Sequence, residues 1–90
     1  MYGDLAWEQR AIDHVGAHGV SRIEFEDVFE DPESLLFRAR GRRYVLLGQT
    51  RGGRMLKLVI ERMDENRFYP ITAYDMTGPS RRMYQRRKGN

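Results

Sequence analysis

Tyr44-Val45-Leu46-Leu47-Gly48-Gln49-Thr50-Arg51-Gly52-Gly53-Arg54-Met55-Leu56-Lys57-Leu58-Val59-Ile60 is the stretch that decides the fold. It belongs to a longer segment, Arg42–Asp75, that reads as three consecutive antiparallel strands and holds the only long apolar run in the chain. The first turn is Arg51-Gly52-Gly53-Arg54, where two glycines supply the φ > 0 geometry of a two-residue primed hairpin. The second is Asp64-Glu65-Asn66-Arg67, with Asn66 suited to the left-handed conformation. Two-residue loops fix the register, and register decides which side chains share a face. Leu47 is then set opposite Leu58 and Val45 opposite Ile60, while Ile60 meets Ile71 and Leu58 meets Ala73. That face is the expected core.

The same pairing places Gly48, Lys57 and Tyr74 in one row on the opposite face. Leu46, Val59 and Thr72 form the next row, and Tyr44, Glu61 and Pro70 the one after. A lysine between a glycine and a tyrosine outlines a shallow site. The plainer reading is a solvated outer face, since antiparallel sheets commonly leave one side in water.

Ninety residues make one domain, spanning 1–90, with a single modest core. No stretch approaches the roughly 18 apolar residues of a membrane span, and Met1-Tyr2-Gly3-Asp4 lacks the features of a signal peptide. A soluble, cytoplasmic protein is expected. With no cysteine, disulfides, thiolate nucleophiles and cysteine metal sites are excluded.

The net charge of +3 hides a division. Residues 1–37 carry every acid except Glu61, Asp64, Glu65 and Asp75, and only two of the bases, Arg10 and Arg22. The remainder is strongly basic. A basic sheet and tail suit a polyanion such as nucleic acid, bound on one side only.

Before the meander, Trp7, Ala11 and Val15 fall on one helical face with Ile12 beside them. Asp4 or its neighbours would cap that helix, and Gly19 suits its left-handed end. His14 and His18 share a face if the helix reaches that far. A metal between them lacks a third ligand, so His18 reads more simply as a helix C-terminal cation. Ser21-Arg22-Ile23-Glu24 is a capping box, opening a second helix with Phe25, Val28 and Phe29 inward. Asp31-Pro32 ends it. Its acids Glu26, Asp27 and Glu30 read as a solvated face rather than paired catalytic carboxylates.

Leu35-Leu36-Phe37 is a short strand that joins the edge of the meander. Arg38, Arg40, Arg42 and Arg43 cluster at the turn that follows. Pro70 cannot donate to a ladder, so its strand should be an edge there or carry a bulge. Pro79 suits the first turn of a third helix, Ser80–Lys88, with Thr77 as a cap and Met83 and Tyr84 as its apolar contacts. The predicted class is α+β: two N-terminal helices on an antiparallel sheet of about four strands, then a basic C-terminal helix.

The order and spacing of several short pieces resemble the BrnT family of type II toxins, within the RelE-like ribonuclease superfamily. The pieces run from Trp7 through His18-Gly19-Val20-Ser21, Val28-Phe29-Glu30-Asp31-Pro32 and Tyr44-Val45-Leu46-Leu47-Gly48. They continue through Gly53-Arg54-Met55-Leu56 and Ile71-Thr72-Ala73 to Met76-Thr77 and Arg81-Arg82-Met83-Tyr84. The resemblance implies a RelE-like fold and a small RNA-cleaving toxin neutralised by a co-encoded BrnA-like antitoxin. One position departs from it: Tyr74 follows Thr72-Ala73 where many members carry an arginine.

RNA cleavage without a metal needs a base for the 2′-hydroxyl, an acid for the leaving 5′ oxygen, and cations for the charged transition state. Lys57 is the best-placed cation and Tyr74 the adjacent hydroxyl. Glu61 is the candidate base, unless it merely pairs with Lys57. Arg43, Arg51, Arg54, Arg81 and Arg82 are the expected RNA contacts. No cofactor is expected, and the partners would be RNA and an antitoxin, with self-association left open. The competing readings are a non-catalytic nucleic-acid-binding domain and a protein-interaction module.

Overall fold

The computed structural model describes residues 1–89. Its elements run β1 (Asp4–Leu5), α1 (Gln9–Gly16), α2 (Arg22–Glu30), β2 (Leu35–Arg38), β3 (Arg43–Gln49), β4 (Met55–Arg62), β5 (Arg67–Asp75) and α3 (Gly78–Arg87). The five strands form one sheet in the order β1-β5-β4-β3-β2. The α+β class is as expected. The sheet is mixed rather than wholly antiparallel, because β1 lies parallel to β5 with Asp4 opposite Arg67 and Leu5 opposite Phe68. Asp4 is therefore a strand residue, not a helix cap, and Trp7 precedes α1. Instead Trp7 packs edge-on against Phe25 and donates its indole N–H to Glu26 at 3.0 Å.

The capping box forms as read. The Glu24 amide donates to Ser21 Oγ, and the Ser21 amide donates to Glu24 Oε1, both at 3.1 Å. Phe25, Val28 and Phe29 are buried and meet Leu46, Leu56, Leu58, Ile60, Phe68 and Ala73 from the sheet. Each such side chain removed from water contributes roughly 1.5–3 kcal/mol. That is the main core.

The first hairpin differs from the sequence reading by one residue. The Thr50 amide donates to the Arg54 carbonyl, and the Gly53 amide donates to the Thr50 carbonyl, both at 2.9 Å. The loop is thus three residues, with Gly53 at φ 92°, a form that ends on a left-handed glycine. One extra residue turns β3 over. Leu46 now faces Leu58 and Tyr44 faces Ile60, while Leu47 pairs with Lys57 and Val45 with Val59. Gly48 leaves the predicted Lys57 row and lies under the end of α2, where an added Cβ would run into Ser34 Oγ first and would also come within 2.9 Å of Val28. A close approach to α2 explains that glycine.

The second loop is also three residues long, since the Met63 amide donates to the Arg67 carbonyl at 2.8 Å. Asn66 does not take a positive φ. Instead the Asp64 carboxylate accepts from the Asn66 and Arg67 amides, each at 3.1 Å. A bulge in the β4–β5 ladder then absorbs one residue of β5, so Ile60 opposes Pro70 rather than Ile71. Beyond it, Leu58–Ala73 and Lys57–Tyr74 pair as predicted. Pro70 sits beside that bulge, as its missing N–H requires.

The other face of the sheet is half covered. Met76, Met83 and Tyr84 pack on Leu47, with Leu35, Phe37, Val45 and Met55 around them. So α3 lies over β2 and β3. Thr77 occupies the N-cap position but its side chain makes no capping bond. Lys88 anchors the far end, donating to the Glu33 carbonyl at 2.7 Å.

The loop geometry predicts different costs for the two adjacent glycines. Gly53→Val should destabilise by about 1–2 kcal/mol, because an L-residue resists the left-handed region. Gly52→Val should stay within about 0.5 kcal/mol. Urea titrations of the two variants separate this loop from a two-residue turn, in which both would suffer.

Candidate active site

On the face that α3 half covers, β3, β4 and β5 carry three rows of side chains. They are Leu47–Lys57–Tyr74, Val45–Val59–Thr72 and Arg43–Glu61–Tyr69. The Lys57–Tyr74 neighbourhood expected from sequence is present, with Leu47 in the place assigned to Gly48. The Lys57 ammonium lies 5.6 Å from the centre of the Tyr74 ring.

His18 completes this cluster, and sequence reasoning did not place it there. Its ring centre is 5.7 Å from that of Tyr74. α1 packs along β5, and the turn after it delivers His18 to the end of that strand. An imidazole adds a ring nitrogen that can accept a hydrogen bond beside one that donates.

The device that sets this turn is Arg54. Its guanidinium takes the Asp75 carboxylate with both oxygens, at 2.8 and 3.0 Å, and donates to the Gly19 carbonyl at 2.8 Å and to Glu24 at 3.1 Å. Gly19 follows His18 in the chain and Asp75 follows Tyr74, so one side chain fixes the backbone beside both rings. Arg54 was expected to contact RNA. Four of its donors are instead committed within the fold.

The remaining expected residues are dispersed. Glu61 is two rows from Lys57 and pairs with Arg43 at 3.2 Å, not with the lysine. Arg51 is at the hairpin tip on the α2 side, where its amide donates to Asp27 at 3.0 Å. Arg81 and Arg82 are exposed on α3. Arg81 stands near enough to Asp75 to help hold that carboxyl below its ordinary range, after the larger effect of the Arg54 hydrogen bond. His14 lies elsewhere on the α1 side, in the wall of a pocket with Arg43 and Tyr69. Among the described residues no three of His, Asp and Glu gather as a metal-ligand set.

No protein-family model matches the chain, and no curated protein matches it. Among solved structures, the ribonuclease toxin BrnT of Brucella abortus matches with a TM-score of 0.67, at 14% identity, over 83% of this chain and 97% of that one. The likeness is one of fold. The shared architecture agrees with the fold that the sequence resemblance implied.

The Arg54 cluster makes stability depend on pH in a defined direction. Asp75 is held low chiefly by its Arg54 hydrogen bond, and Glu24 chiefly by the Ser21 amide and then by Arg54. Lowered folded values mean the unfolded chain binds more protons in acid. The stabilisation is complete above the ordinary carboxyl value of about 4 and is lost as pH falls through the depressed values. Arg54→Met should cost about 1–2 kcal/mol near neutrality, discounted for partial exposure. It should also flatten the acid limb below about pH 4 in urea melts. An unchanged acid limb would assign that sensitivity to other carboxylates.

Proposed function

We propose that this protein is a toxin-type endoribonuclease that cleaves RNA without a metal and is neutralised by a BrnA-like antitoxin. The observation that carries the reading is the meeting of His18, Lys57 and Tyr74 on the open half-sheet of a fold shared with a ribonuclease toxin.

The chemistry follows from the groups present. The 2′-hydroxyl attacks the adjacent phosphorus and the bond to the 5′ oxygen breaks, leaving a 2′,3′-cyclic phosphate and a free 5′-hydroxyl. His18 removes the proton from the 2′-hydroxyl, and the imidazolium so formed gives it to the 5′ oxygen as that oxygen leaves. Lys57 faces the non-bridging oxygens, where negative charge accumulates in the transition state and a fixed cation is most effective. The Tyr74 hydroxyl orients the phosphate beside it. Arg81 and Arg82 on α3, with Arg86, supply phosphate contacts along the strand. Glu61 is the ion-pair partner of Arg43 in this scheme rather than the base, because its carboxylate is engaged two rows away.

Lys57→Met keeps the apolar stem and deletes the ammonium. It should change stability by no more than about 0.5–1 kcal/mol, the ring contact included. Loss of a transition-state contact should lower kcat by roughly 10²–10³-fold, and His18→Gln by roughly 10²–10⁴-fold. Cleavage of a labelled RNA, followed with growth arrest on induction, reads both effects. Parent-level cleavage by both variants would remove this cluster from the mechanism. RNA binding with no cleavage by the parent would favour the non-catalytic binding domain.

Replacing Arg81, Arg82 and Arg86 together should weaken binding and flatten its salt dependence. Each lost contact should reduce the slope by about 0.7 for single-stranded RNA. An unaltered slope would assign those arginines to solvent or to the antitoxin.

A further inference from the structure

The open half-sheet does not end at Lys57. Its far row, Arg43–Glu61–Tyr69, borders a pocket of about 380 Å³ between β5 and α1, into which Glu8, Arg10 and His14 also face. A bulge in β5 adjoins this pocket. Tyr69 and Tyr74 are an odd number of residues apart, so a regular strand would send them to opposite faces. The extra residue at Ile71 restores the parity and brings both rings to the same side as Lys57. Bulges commonly re-aim a side chain in this way beside functional sites.

The pocket's chemistry is that of a nucleotide seat. Pro70, Ile71 and Ala11 give it an apolar floor beside the Tyr69 ring, and an aromatic ring is a stacking platform for any base. Glu8 in the wall repels a phosphate but accepts hydrogen bonds from a base amino group. Two exposed cations line it as well, and Arg43 is paired with Glu61 at 3.2 Å. Arg10 is exposed and makes no ion pair among the described residues. A ligand with a flat heteroaromatic end and an anionic end fits this arrangement, base inward and phosphate outward.

We propose that this pocket is a second nucleotide subsite, holding an RNA base on Tyr69 and its phosphate between Arg10 and Arg43. As a subsite for substrate it rests on the ribonuclease reading. Four residues of β4 separate Lys57 from Glu61, about 13 Å along the strand. The subsite therefore takes a nucleotide one or two positions from the bond that breaks. It makes a longer substrate better than a minimal one.

The test separates binding from cleavage. A non-cleavable oligodeoxynucleotide of four residues is titrated against the full-length protein, with the Ile71 methyl and Tyr69 ring signals followed by NMR. Inorganic phosphate and adenosine 5′-monophosphate serve as further probes. The proposal expects the mononucleotide and the oligonucleotide to shift these signals, and phosphate alone to leave the Tyr69 ring unmoved. Tyr69→Ala should weaken oligonucleotide binding by about 5- to 100-fold, the range for lost base stacking. Tyr69→Phe should restore it, and Arg43→Met should weaken it while leaving the thermal midpoint near the parent's. In cleavage, the advantage of a four-nucleotide over a two-nucleotide RNA should vanish in Tyr69→Ala and persist in Tyr69→Phe. Signals that stay still with every probe, or equal binding by the alanine and phenylalanine variants, would overturn the proposal. Binding at Tyr69 by a protein that cleaves no RNA would support the subsite and remove the ribonuclease role instead.

Discussion

One backbone pair, Thr50 with Arg54, decides what each face of this sheet can do. The Thr50 amide reaches the Arg54 carbonyl, and the Arg54 amide returns to Thr50 Oγ1 at 3.0 Å. With Gly53 left-handed between them, β3 enters the ladder with Gly48 and Leu46 toward the helices and Leu47 and Val45 away. Both assignments matter. Gly48 lets Ser34 and the Val28 side chain approach the sheet, and Leu47 and Val45 give α3 its apolar seat. The opposite register would put a leucine under α2 and leave α3 over Gly48. Arg54, the last member of the pair, then carries its side chain across to Asp75, Glu24 and Gly19.

The division of the outer face follows from composition. Apolar side chains on that face concentrate in β2, β3 and the start of β4, namely Leu35, Phe37, Val45, Leu47 and Met55, and the hydrophobic effect draws α3 over them. Toward β5 the same face turns polar with Lys57, Glu61, Thr72 and Tyr74. No apolar gain offsets covering Lys57, Glu61 and Tyr74, which stay partly exposed. A cationic half-sheet beside a cationic helix is the result. The acids that balance the chain lie mostly on and around α2, across the sheet, where Glu30 and Asp31 border the hairpin tip at Arg51.

Elements governed by local chemistry were legible in the sequence. The capping box at Ser21, the helix end at Asp31-Pro32, the left-handed Gly19 and the strand at Leu35 all rest on neighbours within a few residues. Register was harder, because a two-glycine turn is compatible with loops of two or three residues. In the first hairpin that difference had nothing to compensate it, and β3 turned over. In the second, the longer loop and the bulge at Ile71 offset each other, so Lys57 and Tyr74 met as expected through two unanticipated steps. The short strand β1 carries no alternating pattern to announce it. His18 was illegible for a different reason: its place beside Tyr74 depends on Arg54 joining three distant segments. Arg54 itself looked like one more basic surface residue.

That dependence on distant segments has a consequence for when the site exists. His18 comes from early in the chain, Lys57 from its middle and Tyr74 from near its end, and no secondary-structure element contains two of them. The meander is built from local hairpins and can form early, but closing α1 and β1 onto β5 requires the loop-closure entropy of most of the chain to be met first. The proposed constellation of His18, Lys57 and Tyr74 is therefore a property of the complete fold alone. A nascent chain lacks it until β5 has emerged, and any opening that releases α1 from β5 erases it while the hairpins remain.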